Sequence, residues 1–158
     1  AWVAAGGDVV PGEDSAAEEG DFVATPRHLT AVDAEGAADL ADRHLLIDAR
    51  SPERFAGQNE PVDAVAGRIP GAVNIPALSN VGPDGRFLST DDLAMRFTAK
   101  GLPTHQRVGV YCGSGVQAMH LALALEVSGV FPDPAVYVGS WSDWITDPDR
   151  PVESDAWT

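Results

Sequence analysis

Cys112 is the single cysteine of the chain, and Gly113-Ser114-Gly115 follows it directly. The apolar run Arg107-Val108-Gly109-Val110-Tyr111-Cys112 before it reads as a buried strand, and Val116 to Val127 after it as a helix. A thiol at the carboxyl end of such a strand sits where open α/β sheets bind their ligands. The two glycines allow backbone angles that let successive N–H groups converge on one point, and the helix adds the positive end of its dipole. That arrangement suits a sulfur nucleophile with a cradle for an anionic group attached to it. A buried structural cysteine at a strand end is the plain alternative, and these four residues alone do not separate the two.

Other chemistries find less support. His28, His44, His105 and His120 share no metal-ligand spacing, and one cysteine can form neither a cysteine-rich zinc site nor an internal disulfide, so no metal is expected. Gly113-x-Gly115 lacks the third glycine of a dinucleotide fingerprint and has cysteine at the turn; no cofactor is expected. His120, on the helix after the loop, is expected to pack rather than to act.

The elements that must position Cys112 alternate along the chain. Further strands are expected at Leu45–Ala49, at Ala72–Ile75 between Pro70-Gly71 and Pro76, and at Ala135–Val138, with a short edge strand at His28-Leu29-Thr30. Asp33 reads as the N-cap of a helix through about Leu40; Ser89-Thr90-Asp91-Asp92 opens another running to Lys100, which Gly101 ends. In the helix after Cys112, Met119, Leu123 and Val127 form one stripe with Leu121 and Leu125 nearby, so that helix is expected to be largely buried. Strands alternating with helices predict a doubly wound, mainly parallel α/β sheet of about five strands with helices on both faces.

The 158 residues make one domain, 44% hydrophobic, without an apolar run approaching the roughly 18 residues of a membrane span. Ten basic against 24 acidic residues leave a formal charge of −14, which argues against nucleic acid or an anionic membrane as partner. No secretory signal pattern opens the chain, and a lone cysteine favours a reducing compartment, so a cytoplasmic location is expected. The acidic, small-residue stretch Val9 to Gly20 reads as a linker behind the apolar Trp2-Val3-Ala4-Ala5. Residues 1–20 are accordingly expected to be the tail of a preceding domain and an acidic linker, and residues 21–158 the catalytic domain.

Cys112-Gly113-Ser114-Gly115-Val116-Gln117-Ala118 resembles the active-site loop of the rhodanese-type sulfurtransferases, in the Cys-Gly-Ser-Gly-Val-Thr-Ala form of the mercaptopyruvate branch. Three more ordered blocks agree: Leu46-Ile47-Asp48-Ala49-Arg50 followed by Glu53-Arg54-Phe55; Ala66 through Pro76, similar to Gly-His-Ile-Pro-Gly-Ala-x-Asn-hydrophobic-Pro; and Tyr137-Val138-Gly139-Ser140-Trp141-Ser142-Asp143-Trp144, similar to the closing Gly-Ser-Trp segment of two-domain members. The resemblance spans residues 28–151. Ala1 through Gly7 is similar to the ending of the inactive unit that precedes the catalytic one in two-domain members, which implies an N-terminal inactive rhodanese domain as a partner in the same protein.

The resemblance implies a rhodanese-like fold and a double displacement. Cys112 takes sulfur from 3-mercaptopyruvate or thiosulfate, and the resulting persulfide passes it to cyanide or a thiol. It also implies that Cys112 is the nucleophile, assisted by Ser114, and that the amides of Gly113, Ser114, Gly115, Val116 and Gln117 cradle the persulfide. Arg54 would bind the donor's carboxylate or sulfonate, Asp48 and Arg50 would brace the site, and Trp141 either walls the pocket or packs in the core. The chain departs from the pattern in having Gln117 for Thr, Arg68 for the usual His, and Val62 where some relatives carry a second anion-binding Arg. The uncharged loop favours mercaptopyruvate over thiosulfate. A thiosulfate-preferring rhodanese and a non-catalytic binding module are the alternatives. A phosphatase of the Cys-x5-Arg type is disfavoured, because Ala118 stands where its Arg would be.

Overall fold

β2 (Leu45–Asp48) and β4 (Val108–Tyr111) are buried at every position, as continuous apolar runs must be when both faces of a parallel sheet are covered. In the computed structural model, which describes residues 2–12, 20–23, 25 and 29–155, they form the centre of a five-stranded parallel sheet of order β1-β5-β4-β2-β3. The other strands are β1 (Ala31–Val32), β3 (Val73–Asn74) and β5 (Ala135–Tyr137). The edge strand therefore forms just after the expected Leu29-Thr30, and His28 lies outside the described residues, as do linker residues 13–19.

Period-two alternation divides each strand between two cores. Leu45, Ile47, Val108 and Val110 face α3 (Thr90–Ala99) and α4 (Val116–Ser128), and meet Leu93, Phe97, Leu121 and Leu125 there. Leu46, Tyr111 and Tyr137 face α1 (Ala34–Arg43) and α5 (Ser140–Trp144), against Ala37, Leu40 and Trp141. Gly109, in mid-strand, lets α1 come close, because a Cβ there would stand 2.5 Å from Leu40 Cδ1. The caps are as the sequence indicates: Asp33 accepts from the Gly36 N–H at 2.9 Å, and Ser89 from the Asp92 N–H at 3.2 Å.

One expectation needs correction. The Met119, Leu123 and Val127 stripe of α4 lies toward solvent, each side chain more than 40% exposed, while Ala118, Leu121, Ala122, Ala124 and Leu125 make the buried face. The alanines flanking Leu121 and Leu125 let the helix backbone approach the sheet closely, so that face packs inward and the Met119 stripe stays outside.

Register builds the site. Asp48 pairs with Tyr111 at the ends of β2 and β4, and the Ala49 N–H continues the ladder to the Tyr111 carbonyl at 2.8 Å. The segments leaving these strands, Arg50 onward and Cys112 onward, therefore emerge side by side. Asn74 of β3 donates to the carbonyls of Asp48 and Arg50 at 3.0 and 2.9 Å and fixes the first of them. The single helical turn α2 (Pro52–Phe55) then carries Arg54. Among the described residues no helix is long and apolar enough to cross a membrane.

Candidate active site

The loop after β4 is held from behind by α5. The first N–H groups of a helix have no partner within it, and here Trp141 and Ser142 donate theirs to the carbonyls of Cys112 and Gly113 at 3.0 and 2.9 Å. In a trans peptide the N–H points opposite to its carbonyl, so the Gly113 and Ser114 N–H groups point away from α5. The Gly115 N–H donates to Cys112 Sγ at 3.2 Å. Gly115 has φ +88°, and a Cβ there would stand 2.7 Å from the Val138 carbonyl oxygen. A Gly115→Ala change costs about 1–2 kcal/mol in backbone strain alone. Because it also shifts the amide that faces the sulfur, turnover at the site should drop about a hundredfold. Thermal melts beside initial rates check both parts.

Ser140 is a residue the sequence reading did not single out. It adopts φ +57°, a costly conformation for a non-glycine residue. Its Oγ accepts the Cys112 N–H at 3.1 Å, donates to the Tyr137 carbonyl at 2.9 Å, and lies 4.0 Å from Sγ. Nothing in its sequence position signals this: it is the first residue of α5, after β5, the strand next to the one that leads into Cys112. Ser114, expected to assist the sulfur, is exposed on the loop, and Ser140 places a second hydroxyl 4.0 Å from Sγ.

A cavity of about 220 Å³ opens over Cys112. Gly113, Ser114, Val116 and Gln117 of the loop line it together with Arg54, Asp63 and Ser142. Arg54 lies against the loop: its Nη1 and Nη2 would lie 3.2 and 3.3 Å from a Cβ at position 113, a tight contact that the glycine avoids. Its Nε and Nη2 donate to the two oxygens of Glu60 at 2.9 and 2.7 Å, and Nη2 also to Asp63 at 3.0 Å. Arg54 is the cation lining the cavity among the described residues, and Val62 is 75% exposed. No other described side chain replaces the cation missing at 62.

Burial would push the Glu60 carboxyl up, but hydrogen bonds from Arg54 and from the N–H groups of Asp63 and Val62 outweigh it. They hold the pKa below the ordinary 4.5. A carboxyl lowered by folding stabilises the fold above its unfolded value, and that contribution is lost as pH falls through the lowered one. The stability of the protein should therefore decline below pH 4.5. Glu60→Gln should flatten that part of the profile in urea midpoints measured against pH.

Beneath the cavity lies a layer that never reaches it. Asp48 and Arg50 are completely buried and paired, Nη2 to Oδ2 at 2.6 Å, and Arg50 also donates to the Gly67 carbonyl at 2.7 Å. The Arg50 guanidinium stacks over Trp141, 4.8 Å from its ring centre. Trp141 is itself fully buried, with Nε1 donating to the Val65 carbonyl at 2.9 Å. Of the two places expected for Trp141, the structure shows the core and not the pocket wall, because Arg50 and α5 enclose the indole. Arg68 points away from the site: it binds Glu153 and, at 2.7 Å, Asp155, and covers the Phe55 ring at 4.5 Å, which pins residues 151–155 to the domain. His120 stacks on Phe87, ring centres 4.6 Å apart. No group of three or more His, Cys, Asp or Glu among the described residues could hold a metal ion.

Comparison with known proteins agrees with this geometry. The family model of the rhodanese-like domain matches residues 32–147. The chain is 48% identical over 156 residues to a Pseudomonas aeruginosa protein named "Probable 3-mercaptopyruvate sulfurtransferase", covering 96% of the chain and 54% of that protein. It is 43% identical over 158 residues to the "Putative thiosulfate sulfurtransferase SseB" of Mycobacterium tuberculosis, with the same coverage. The chain thus spans about half the length of these curated relatives. Among solved structures, the Tum1 protein from Saccharomyces cerevisiae superposes with a TM-score of 0.70 at 26% identity, over 80% of this chain and 47% of that one. The match corrects the expectation of an N-terminal inactive rhodanese domain as far as these 158 residues go: they carry one such domain, at 32–147, with no room among them for a second.

Proposed function

Because the chain belongs to the rhodanese-like domain family, we propose that it is a sulfurtransferase working through a persulfide on Cys112, with 3-mercaptopyruvate preferred to thiosulfate. Residues 21–158 form the catalytic unit in this reading, and a thiol nucleophile fits a reducing compartment such as the cytoplasm. The observation that carries it is the Gly115 N–H on Cys112 Sγ at 3.2 Å, in a loop whose carbonyls are tied back by α5. A sulfur that becomes or carries an anion needs fixed donors aimed at it, and this loop supplies them.

The deprotonated Cys112 sulfur attacks the sulfur of mercaptopyruvate. The new S–S bond forms as the donor's C–S bond breaks, and the pyruvate enolate leaves and takes a proton. From thiosulfate the same attack expels sulfite. Cyanide or a thiol then attacks the outer sulfur of the persulfide and returns Cys112. The amides of Gly113 through Gln117 hold the persulfide anion, and Ser114 offers a hydroxyl at the mouth of the loop. Arg54 offers the donor carboxylate its Nη1, which has no partner among the described residues. Asp48, Arg50 and Trp141 keep that wall in place from below.

The donor preference is tested with cyanide as acceptor, following pyruvate from mercaptopyruvate and sulfite from thiosulfate in parallel. A larger kcat/KM for mercaptopyruvate is expected. A larger value for thiosulfate would overturn the donor assignment, and turnover of neither would point to a binding module.

A further inference from the structure

The cation of the cavity is not free. Arg54 is gripped by Glu60 through both oxygens and by Asp63 Oδ2 at 3.0 Å, while Asp63 Oδ1 accepts from Ser142 Oγ at 2.7 Å. The Asp63 side chain is 8% exposed and lies on the cavity wall, so its charge is held there and poorly screened by solvent. One guanidinium and two carboxylates make this group net negative, and no second cation lines the cavity among the described residues. An entering anion therefore gains the Nη1 amino group of Arg54, which carries the two N–H donors left after Glu60 and Asp63, and meets the field of Asp63 at the same time. That repulsion grows with the charge of the anion.

We infer that Asp63 is a specificity-determining residue that biases the cavity toward singly charged sulfur donors, of the carboxylate class, and against dianions of the thiosulfate class. The inference rests on the proposed sulfurtransferase reading for the word donor, while the charge selection itself is a property of the cavity. Ser142 is the positioning residue that keeps the carboxylate turned to the wall. An α-keto carboxylate with a neutral thiol brings one charge to Arg54, whereas thiosulfate brings two into the same space.

The test is made on binding in a Cys112→Ser background, where no turnover can occur. Sulfate serves as the dianion and pyruvate as the monoanion, at matched ionic strength, by calorimetry or amide shifts of the loop. Asp63→Asn keeps the size and one acceptor oxygen, and should tighten sulfate on the order of tenfold while changing pyruvate several-fold less. Asp63→Glu keeps the charge and should leave the sulfate-to-pyruvate ratio near that of its parent, provided circular dichroism shows an unchanged fold. Equal changes for both anions, or no change for sulfate, would overturn the inference. Failure of the sulfurtransferase reading is seen separately, as the absence of sulfur loading on the wild-type chain.

Discussion

Cys112→Ser is expected to abolish sulfur transfer, with turnover falling at least about 10⁴-fold to the uncatalysed level and the fold preserved. The reason is the bond that must form. Sulfur taken from the donor rests on sulfur in an S–S bond, and serine's hydroxyl is neither nucleophilic enough to attack the donor nor able to hold a labile sulfane sulfur. The exchange is nearly isosteric at a residue only 2% exposed, and a serine Oγ can still accept the Gly115 N–H that now meets Sγ at 3.2 Å. Circular dichroism and the urea midpoint should therefore stay close to wild type while product formation vanishes. A variant retaining a substantial fraction of the rate would move the nucleophile elsewhere and end the account given for the loop.

The largest stability effect is expected from Asp48→Ala. Arg50 is completely buried and its closest partner is Asp48, which takes Nε at 3.0 and 3.1 Å and Nη2 at 2.6 Å. Burial would lower the Arg50 pKa, but the hydrogen bonds and field of Asp48 outweigh this and leave it raised, so the guanidinium stays charged. Removing the carboxylate leaves that charge with the Gly67 carbonyl and Glu60 at 3.4 Å. Loss of one partner of such a pair costs about 3–5 kcal/mol, a large share of the roughly 5–15 kcal/mol that holds a domain together. Asp48→Ala combined with Arg50→Met should recover part of the loss, because an apolar replacement leaves no buried charge behind. If urea midpoints of the single and double variants coincide, the charge is not what the pair stabilises.

How much of this was legible in the sequence depends on the kind of signal. Leu45–Asp48 and Val108–Tyr111 announce themselves because strands buried on both faces must be apolar throughout, and Asp33 and Ser89 because capping needs a short polar side chain. The strand-loop-helix around Cys112-Gly113-Ser114-Gly115 could be placed from glycine and helix-start chemistry, while the extent of the cradle to Gln117 came only with the resemblance. The orientation of α4 could not. Two leucine-bearing faces compete on that helix, and the one with alanines around its leucines wins because it lets the sheet lie near. Ser140 and Asp63 were also hidden, since their roles come from contacts 28 residues away with Cys112 and nine residues away with Arg54. A charged side chain in a loop gives no sign in sequence of whether its charge is spent on a neighbour. Arg54 looked like an open anion binder, and only the geometry shows Glu60 and Asp63 already upon it.

The measurement that reaches the central claim most directly is the intact mass of the chain after mercaptopyruvate or thiosulfate, before and after cyanide. A persulfide on Cys112 predicts a gain of one sulfur atom, larger with mercaptopyruvate, lost on adding cyanide and absent in Cys112→Ser. No gain from either donor, or a gain that persists in Cys112→Ser, would contradict it.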